Sequence, residues 1–585
     1  MLVTEKSTIR VHQLLNAFLR GDLSPEEVVE DIYEKIAQHS DYNIWIYTTP
    51  KDEVLQQIAL NRRKLESGYT LPLYCIPFAV KDNIDVAGMP TTAACPAYSY
   101  TPAQHAAVVQ KLIDAGAIVI GKTNLDQFAT GLTGTRSPFG AVRNSVDPLY
   151  ISGGSSSGSA VAVALGMSCF SLGTDTAGSG RVPAGFNNLV GLKPGIGRLS
   201  TQGVVPACKS LDCVSVFTTT IEDASLVYHI ASEPETILPV NTAPQKKSIL
   251  IPDEQGLFFA GNNEEYASLF SSVISKASGT YPVKRISFQL FSDTAALLYH
   301  GPWIAERMAA VGSFIKKHPD EVHPVVRSII AQAEGYTATD TFSAFYKLET
   351  LRTQALALFD QADYLLVPTA PGIFTIEEVL QNPVELNTRL GYYTNFVNLL
   401  GLCAVAVPAG FTSQGLPFGV TLIAPAGSEV RLLEEARKLQ ALLKSTNTPA
   451  LQTDTTELAV AGLHKRSFPL NYQLTDLEAS YAYSTQTSPD YAMYLLDPDG
   501  KPKPGLVRLP EGQGHSIDVE VWQIPVKNLG AFMMNVKHPL GIGQVRLADG
   551  RMVYGFICEQ YIAGNCEDIS AYKSWEAFTG SRSGR

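Results

Sequence analysis

The sequence predicts two domains of different class: a large α/β domain over residues 1–445 and a small β-rich α+β domain over residues 458–585. Three observations predict this. In the first part, short apolar runs alternate with stretches of helical period, as strands buried between helices do. Ser445 to Glu457 is Thr-rich, polar and almost without apolar periodicity, so residues 446–457 read as a linker. Beyond it, short alternating segments between turn residues replace the helical pattern.

Each element follows from local pattern. The first 70 residues read as helices. Ser24-Pro25-Glu26-Glu27 supplies an N-cap, a proline at the first helical position and a carboxylate at N3, and Val28, Ile32 and Ile36 then recur on one face. Leu73 to Val80 and Ala117 to Ile120 are short apolar runs, read as buried strands. Gly158 to Met167, small residues alternating with valine, reads as a helix able to pack closely on the sheet. Phe411 to Leu422 continues the α/β alternation, and Glu429 to Leu443 is a charged helix. In the second domain Ile517 to Ile524 and Met552 to Cys558 alternate as strands, with turn signals at Asp497-Pro498-Asp499-Gly500 and Asp549-Gly550.

Composition removes several function classes. Hydrophobic residues make up 45% of the 585 and charged residues 17%, which suits a large buried core and argues against disorder. Forty-five Lys and Arg against 56 Asp and Glu leave a net charge of −11 with no dense basic run, a poor match for nucleic acid or an anionic membrane surface. The first ten residues are charged early and show no secretory h-region, and the uncharged stretch Pro148 to Thr174 is too rich in Gly and Ser to span a bilayer. Eight cysteines without a CxxC pair suit reduced thiols in a cytoplasmic protein and indicate neither a disulfide framework nor a metal site.

Two short motifs mislead. Gly116 to Thr123 matches the phosphate-binding pattern GxxxxGK[ST], but its intervening residues, Ala117 to Ile120, are apolar and mostly β-branched and belong in a strand, where amides cannot curl around a phosphate. Gly154 to Gly158 matches GxSxG, yet Ser152-Gly153 before it is not the strand that a nucleophile elbow needs.

The tract Gly153 to Pro194 is more informative, with two glycine-serine loops separated by a helix and a strand. Upstream, the apolar run Pro77 to Val80 leads into Lys81-Asp82-Asn83. Singly, such a lysine is a solvated strand end and such a loop is merely flexible. Together, with 74 residues from Lys81 to Ser155 and 24 from Ser155 to Ser179, they resemble the amidase signature family over about residues 1–445. The resemblance implies an α/β/α sandwich around a mixed sheet, and amide hydrolysis by a Ser-Ser-Lys triad on Ser179, Ser155 and Lys81 with no metal or organic cofactor. It makes Ser179 the acylated nucleophile, Ser155 a bridge held through a cis Gly154-Ser155 peptide, and Lys81 the base. A lysine at ~10.4 in water must be desolvated toward neutrality for that role, which an apolar strand can begin. The amides of Thr176, Ala177 and Gly178 would donate to the oxyanion.

Within this family, Leu298 to Arg307 resembles the allophanate hydrolase branch through Tyr299, Gly301-Pro302-Trp303 and Arg307. Pro302 suits a first helical position, placing Tyr299 in the preceding loop and Arg307 in the second turn. The resemblance makes both substrate binders, the guanidinium gripping the allophanate carboxylate by two parallel hydrogen bonds. A plainer alternative pairs Arg307 with a surface glutamate. Glu457 to Asn471 and the segment around Trp522 resemble the carboxy-terminal domain of the same branch, similar in fold to gamma-glutamylcyclotransferases. That implies decarboxylation of N-carboxycarbamate, with His464, after the first strand, as the candidate for proton transfer. A purely structural histidine is the alternative, and His515 the runner-up. The resemblance therefore implies a cytoplasmic, homodimeric hydrolase of urea degradation, linked to a biotin-dependent urea carboxylase that is separate or fused. Rival readings are a broad amidase, the glutaminase component of a transamidation complex, and a catalytically silent scaffold.

Overall fold

The structure, a computed structural model, describes residues 10–233, 248–260, 263–299, 301–444, 455–466, 468–497, 500 and 502–582. The chain divides into two compact units, Met1–Thr446 and Asn447–Arg585.

In the first unit one sheet holds eleven strands. They begin with β1 (Trp45–Thr48), β2 (Pro77–Lys81), β3 (Ile118–Thr123), β4 (Phe170–Asp175), β5 (Val190–Lys193) and β6 (Cys213–Thr218). There follow β7 (Ile249–Pro252), β8 (Val283–Ile286), β9 (Tyr364–Pro368), β10 (Leu402–Phe411) and β11 (Pro417–Pro425). Across the sheet the order is β1-β3-β2-β4-β6-β5-β10-β11-β9-β7-β8. β2 runs parallel to β3 and β4, and β7 to β8 and β9; the remaining neighbours are antiparallel, so the sheet is mixed. Alternate residues enter separate apolar clusters. Ile249, Ile251, Leu366 and Val405 join the helical residues Ile58 and Leu432 on one side. Leu250, Leu365, Val367 and Ala404 join Leu351 and Phe396 on the other. Both faces are thus covered by helices, the α/β/α sandwich that the family resemblance implies.

Local chemistry explains the elements. The helix Pro25–Gln38 starts with a full capping box, Ser24 Oγ accepting the Glu27 amide at 3.2 Å and Glu27 Oε2 accepting the Ser24 amide at 2.8 Å. The all-helical reading of the first 70 residues fails at β1, whose Trp-Ile-Tyr-Thr sequence pairs antiparallel with β3 at the sheet edge. Gly116 to Thr123 builds β3 and no phosphate loop. A Cβ on Gly121 would lie 2.3 Å from the Tyr47 carbonyl oxygen, so glycine is what lets β1 approach, and Lys122 is buried against Asp82 at 3.1 Å.

The second unit has a five-stranded and a three-stranded sheet. Its strands are β12 (Thr455–Val460), β13 (Ser480–Gln486), β14 (Tyr491–Leu496), β15 (Lys503–Arg508), β16 (Asp518–Pro525), β17 (Leu540–Arg546), β18 (Met552–Cys558) and β19 (Glu567–Asp568). β12 begins inside the stretch read as linker. Thr455, Thr456 and Glu457 pair with Pro525, Ile524 and Gln523, because threonines beside a partner strand have better use for their β preference than a free linker offers. Residues 445–454 of that stretch, and Pro498 and Asp499 of the expected turn, lie outside the described residues. The Asp549-Gly550 turn joins β17 to β18. Among the described residues no helix is long and apolar enough to cross a membrane.

Candidate active site

The site forms where the parallel strands β2 and β4 end together, the place where parallel sheets present ligand-binding loops. β2 ends in Lys81, which is fully buried. Its Nζ donates to Ser155 Oγ at 2.7 Å and to Thr174 Oγ1 at 2.8 Å. Ser155 Oγ donates to Ser179 Oγ at 3.0 Å, and the Gly154-Ser155 peptide is cis. Three side chains predicted from positions far apart in the chain are therefore one hydrogen-bonded row. Burial pulls the Lys81 ammonium down to about 7, with Arg307 acting in the same direction and Asp126, Asp175 and Asp212 opposing it. Near neutral pH this lysine is poised between its two forms.

Ser179 sits in a loop fastened by Asp175, the last residue of β4. The Asp175 carboxylate accepts the Gly178 and Gly180 amides, each at 2.9 Å, and Nη2 and Nε of Arg181, each at 2.9 Å. Arg181 also donates to the Thr394 carbonyl at 3.1 Å. Burial alone would raise the Asp175 carboxyl, yet Arg181 and Lys193 hold it below its ordinary value. Gly178 has φ +132, and a Cβ there would lie 2.4 Å from Thr394 Oγ1, so the tight loop requires glycine. One expectation changes here. The Gly178 N–H, one of three amides expected to face the oxyanion, instead donates to Asp175.

Arg307 is buried and lies in the first turn of the helix Ile304–Lys317, not the second, because Pro302 stands before Trp303, the N-cap. Its Nη1 donates to Thr130 Oγ1 at 2.9 Å and to the Ala129 carbonyl at 3.4 Å. Its charge reaches Lys81 and Asp212. Tyr299 closes the helix Gln289–Tyr299 and does not sit in a loop; its side chain lies outside the described residues.

In the second unit His464 follows β12. Its ring stacks on Phe556 (4.7 Å, 23°) and meets Phe532 edge-on (5.5 Å, 69°). Nε2 is 2.8 Å from Gln473 Oε1, an acceptor, which assigns the ring proton to Nε2 and leaves a lone pair on Nδ1. Burial lowers this imidazole to about 4, so it is neutral at pH 7. His515 is tied by its backbone to Tyr491.

Sequence reasoning missed Thr174, the buried Asp175–Arg181 pair, Asp126 and Asp212. A signal existed for the pair, since an acid and a base bracket the Ser179 loop inside a stretch, Pro148 to Leu192, that is otherwise uncharged. Asp126 gave none. Its carboxylate collects the Gly134 and Arg136 amides at 3.0 and 2.9 Å, and its own amide donates to the Ser155 carbonyl at 3.1 Å.

A buried lysine, a bridging serine and a clamped serine on a mixed α/β/α sheet define a class, and comparison with known proteins agrees. The Amidase family model matches residues 27–255 and 299–433, so the chain belongs to the amidase family and is an amide hydrolase. The model for the allophanate hydrolase C-terminal domain matches residues 456–580. Among solved structures, an allophanate hydrolase of Kluyveromyces lactis is 38% identical with a TM-score of 0.71, over 99% of this chain and 100% of that one. A urea amidolyase of Saccharomyces cerevisiae is 42% identical over 92% of this chain and 31% of its own length. A glutamyl-tRNA(Gln) amidotransferase component of Exiguobacterium sp. is 32% identical over 72% of this chain and 94% of its own. The chain thus spans about a third of the length of the urea amidolyases it matches.

Proposed function

We propose that this chain hydrolyses allophanate in urea degradation. The observation that carries the reading is the Lys81–Ser155–Ser179 row with the buried Arg307 guanidinium close enough to bias Lys81. Neutral Lys81 takes the Ser155 hydroxyl proton as Ser155 takes that of Ser179, and Ser179 Oγ attacks the terminal amide carbonyl. The Thr176 and Ala177 amides receive the oxyanion. The proton returns through the row to the departing nitrogen, ammonia leaves, and water repeats the sequence on the acyl-enzyme. Arg307, with Tyr299, holds the substrate carboxylate.

The product of that step is N-carboxycarbamate. We assign its decarboxylation to the second unit: carbon dioxide leaves, the nitrogen left behind takes up a proton that comes ultimately from water, and His464 is the candidate for relaying it; the match of residues 456–580 to the allophanate hydrolase C-terminal domain supports this assignment. The supply of allophanate calls for a urea carboxylase, fused or separate, a link supported by the longer urea amidolyase relatives. By family resemblance the working form is a cytoplasmic homodimer. The similarity to an amidotransferase component keeps glutamine as the rival substrate, and a buried cation suited to a carboxylate favours allophanate. Labelling by a serine-directed phosphonate tests the chemistry: the adduct belongs on Ser179 and allophanate protects against it. A label elsewhere contradicts the assignment.

A further inference from the structure

Residues 207–212 form a short loop that returns to the sheet at the start of β6. Asp212, buried, closes it. Oδ2 accepts the Ala207 amide at 2.9 Å, Oδ1 accepts the Cys208 amide at 3.2 Å, and the Asp212 amide donates to the Cys208 carbonyl at 2.9 Å. The same Oδ1 accepts the Thr176 hydroxyl at 2.5 Å, and Thr176 is the first residue beyond β4 and an oxyanion donor in the proposed mechanism. The other side of the loop grips the helix that carries Arg307. Cys208 Sγ donates to the Trp303 carbonyl at 3.5 Å, the Ser210 amide donates to Glu306 Oε2 at 2.8 Å, and the Ser210 hydroxyl bonds Glu306 Oε1. Arg307 is the next residue.

We propose that Asp212 is a positioning residue: through Thr176 on one side and the Cys208–Ser210 turn on the other, it fixes the spacing between the oxyanion donors and Arg307, and so the distance from reacting carbonyl to carboxylate that a substrate must have. The inference rests on the proposed role of Arg307. A carboxylate suits the task because its acceptors can take two loop amides and a hydroxyl at once, which a single amide oxygen cannot do with comparable strength. Small errors in this spacing fall on turnover, since the near-attack geometry is what positioning supplies.

Three variants separate the links. Thr176→Val keeps the Thr176 amide and the loop but cuts the bond to Asp212; kcat falls by about tenfold on allophanate and on a neutral amide alike, with KM little changed. Glu306→Gln loosens the loop from the helix; KM rises several-fold for allophanate and not for the neutral amide. Asp212→Asn does both, and also moves the acid limb of the kcat/KM profile to lower pH. Lys81 is faced by Asp126, Asp175, Asp212 and Arg307, and loss of one of the three carboxylates leaves its ammonium less supported. If Thr176→Val and Glu306→Gln both leave kcat and KM within twofold, while Asp212→Asn lowers only the melting temperature, Asp212 serves the fold alone and the inference is overturned. Failure of the underlying reading looks different. Arg307→Ala would then harm charged and neutral substrates equally, whereas the Thr176→Val loss on a neutral amide would persist.

Discussion

At the scale of single residues, the decisive fact is a lysine with no exposed surface, at about 7, hydrogen-bonded to a serine. In its proposed role as base Lys81 must be unprotonated, and burial lowers it toward that state. Activity should therefore rise with pH through about 7 and level off above it, and fall as acid protonates Lys81. A kcat/KM profile that is flat from roughly pH 5 to 9 would speak against a lysine base. Ser179→Ala should abolish acyl-enzyme formation, and Lys81→Ala or Ser155→Ala should each lower turnover by several orders of magnitude, because nucleophile and base act as one unit. Intact-mass trapping and steady-state assays read these directly. Arg307→Ala should cost about 2–4 kcal/mol in kcat/KM with allophanate and much less with a neutral amide of similar size. The hydrogen-bonded row of Lys81, Ser155 and Ser179 was legible in the sequence because each member lies in a local motif. Asp212 and Asp126 were not, since they act by collecting amides and hydroxyls of loops whose path only the folded chain reveals.

At the scale of elements, the Ser179 loop is shaped by one buried ion pair. Asp175 and Arg181 are both fully buried, and Arg181 also reaches a carbonyl 213 residues away. Removing one partner leaves a charge without compensation, so Arg181→Met should destabilise the first unit by about 3–5 kcal/mol, read by denaturant unfolding. Strands and helices were legible where the pattern was strong, as in β3, in the capped helix Pro25–Gln38 and in β18. They were not where tertiary pairing outweighs a short local signal. β1 is four residues among helices, and Thr455 to Glu457 resemble a linker until β16 lies beside them. The position of Arg307 was misjudged by two residues, about half a turn, because Pro302, a good helix starter, stands before the N-cap Trp303.

At the scale of the whole molecule, two units with separate cores point to divided chemistry. A protein ending at Thr446 keeps Lys81, Ser155, Ser179 and Arg307 together with every strand of the eleven-stranded sheet, so it should fold and release ammonia from allophanate at the full rate. Carbon dioxide should then appear with a lag that the intact protein lacks, and His464→Ala should reproduce that lag without changing the first ammonia release. Equal lags in truncated and intact proteins would leave the second unit without a decarboxylase role. The central claim is the substrate, and one measurement tests it most directly: ammonia release by the purified protein from allophanate, set beside malonamate, biuret and glutamine. Allophanate should run far ahead of neutral biuret and of glutamine, with malonamate, which keeps the carboxylate, between them. Glutamine matching or exceeding allophanate would contradict the claim.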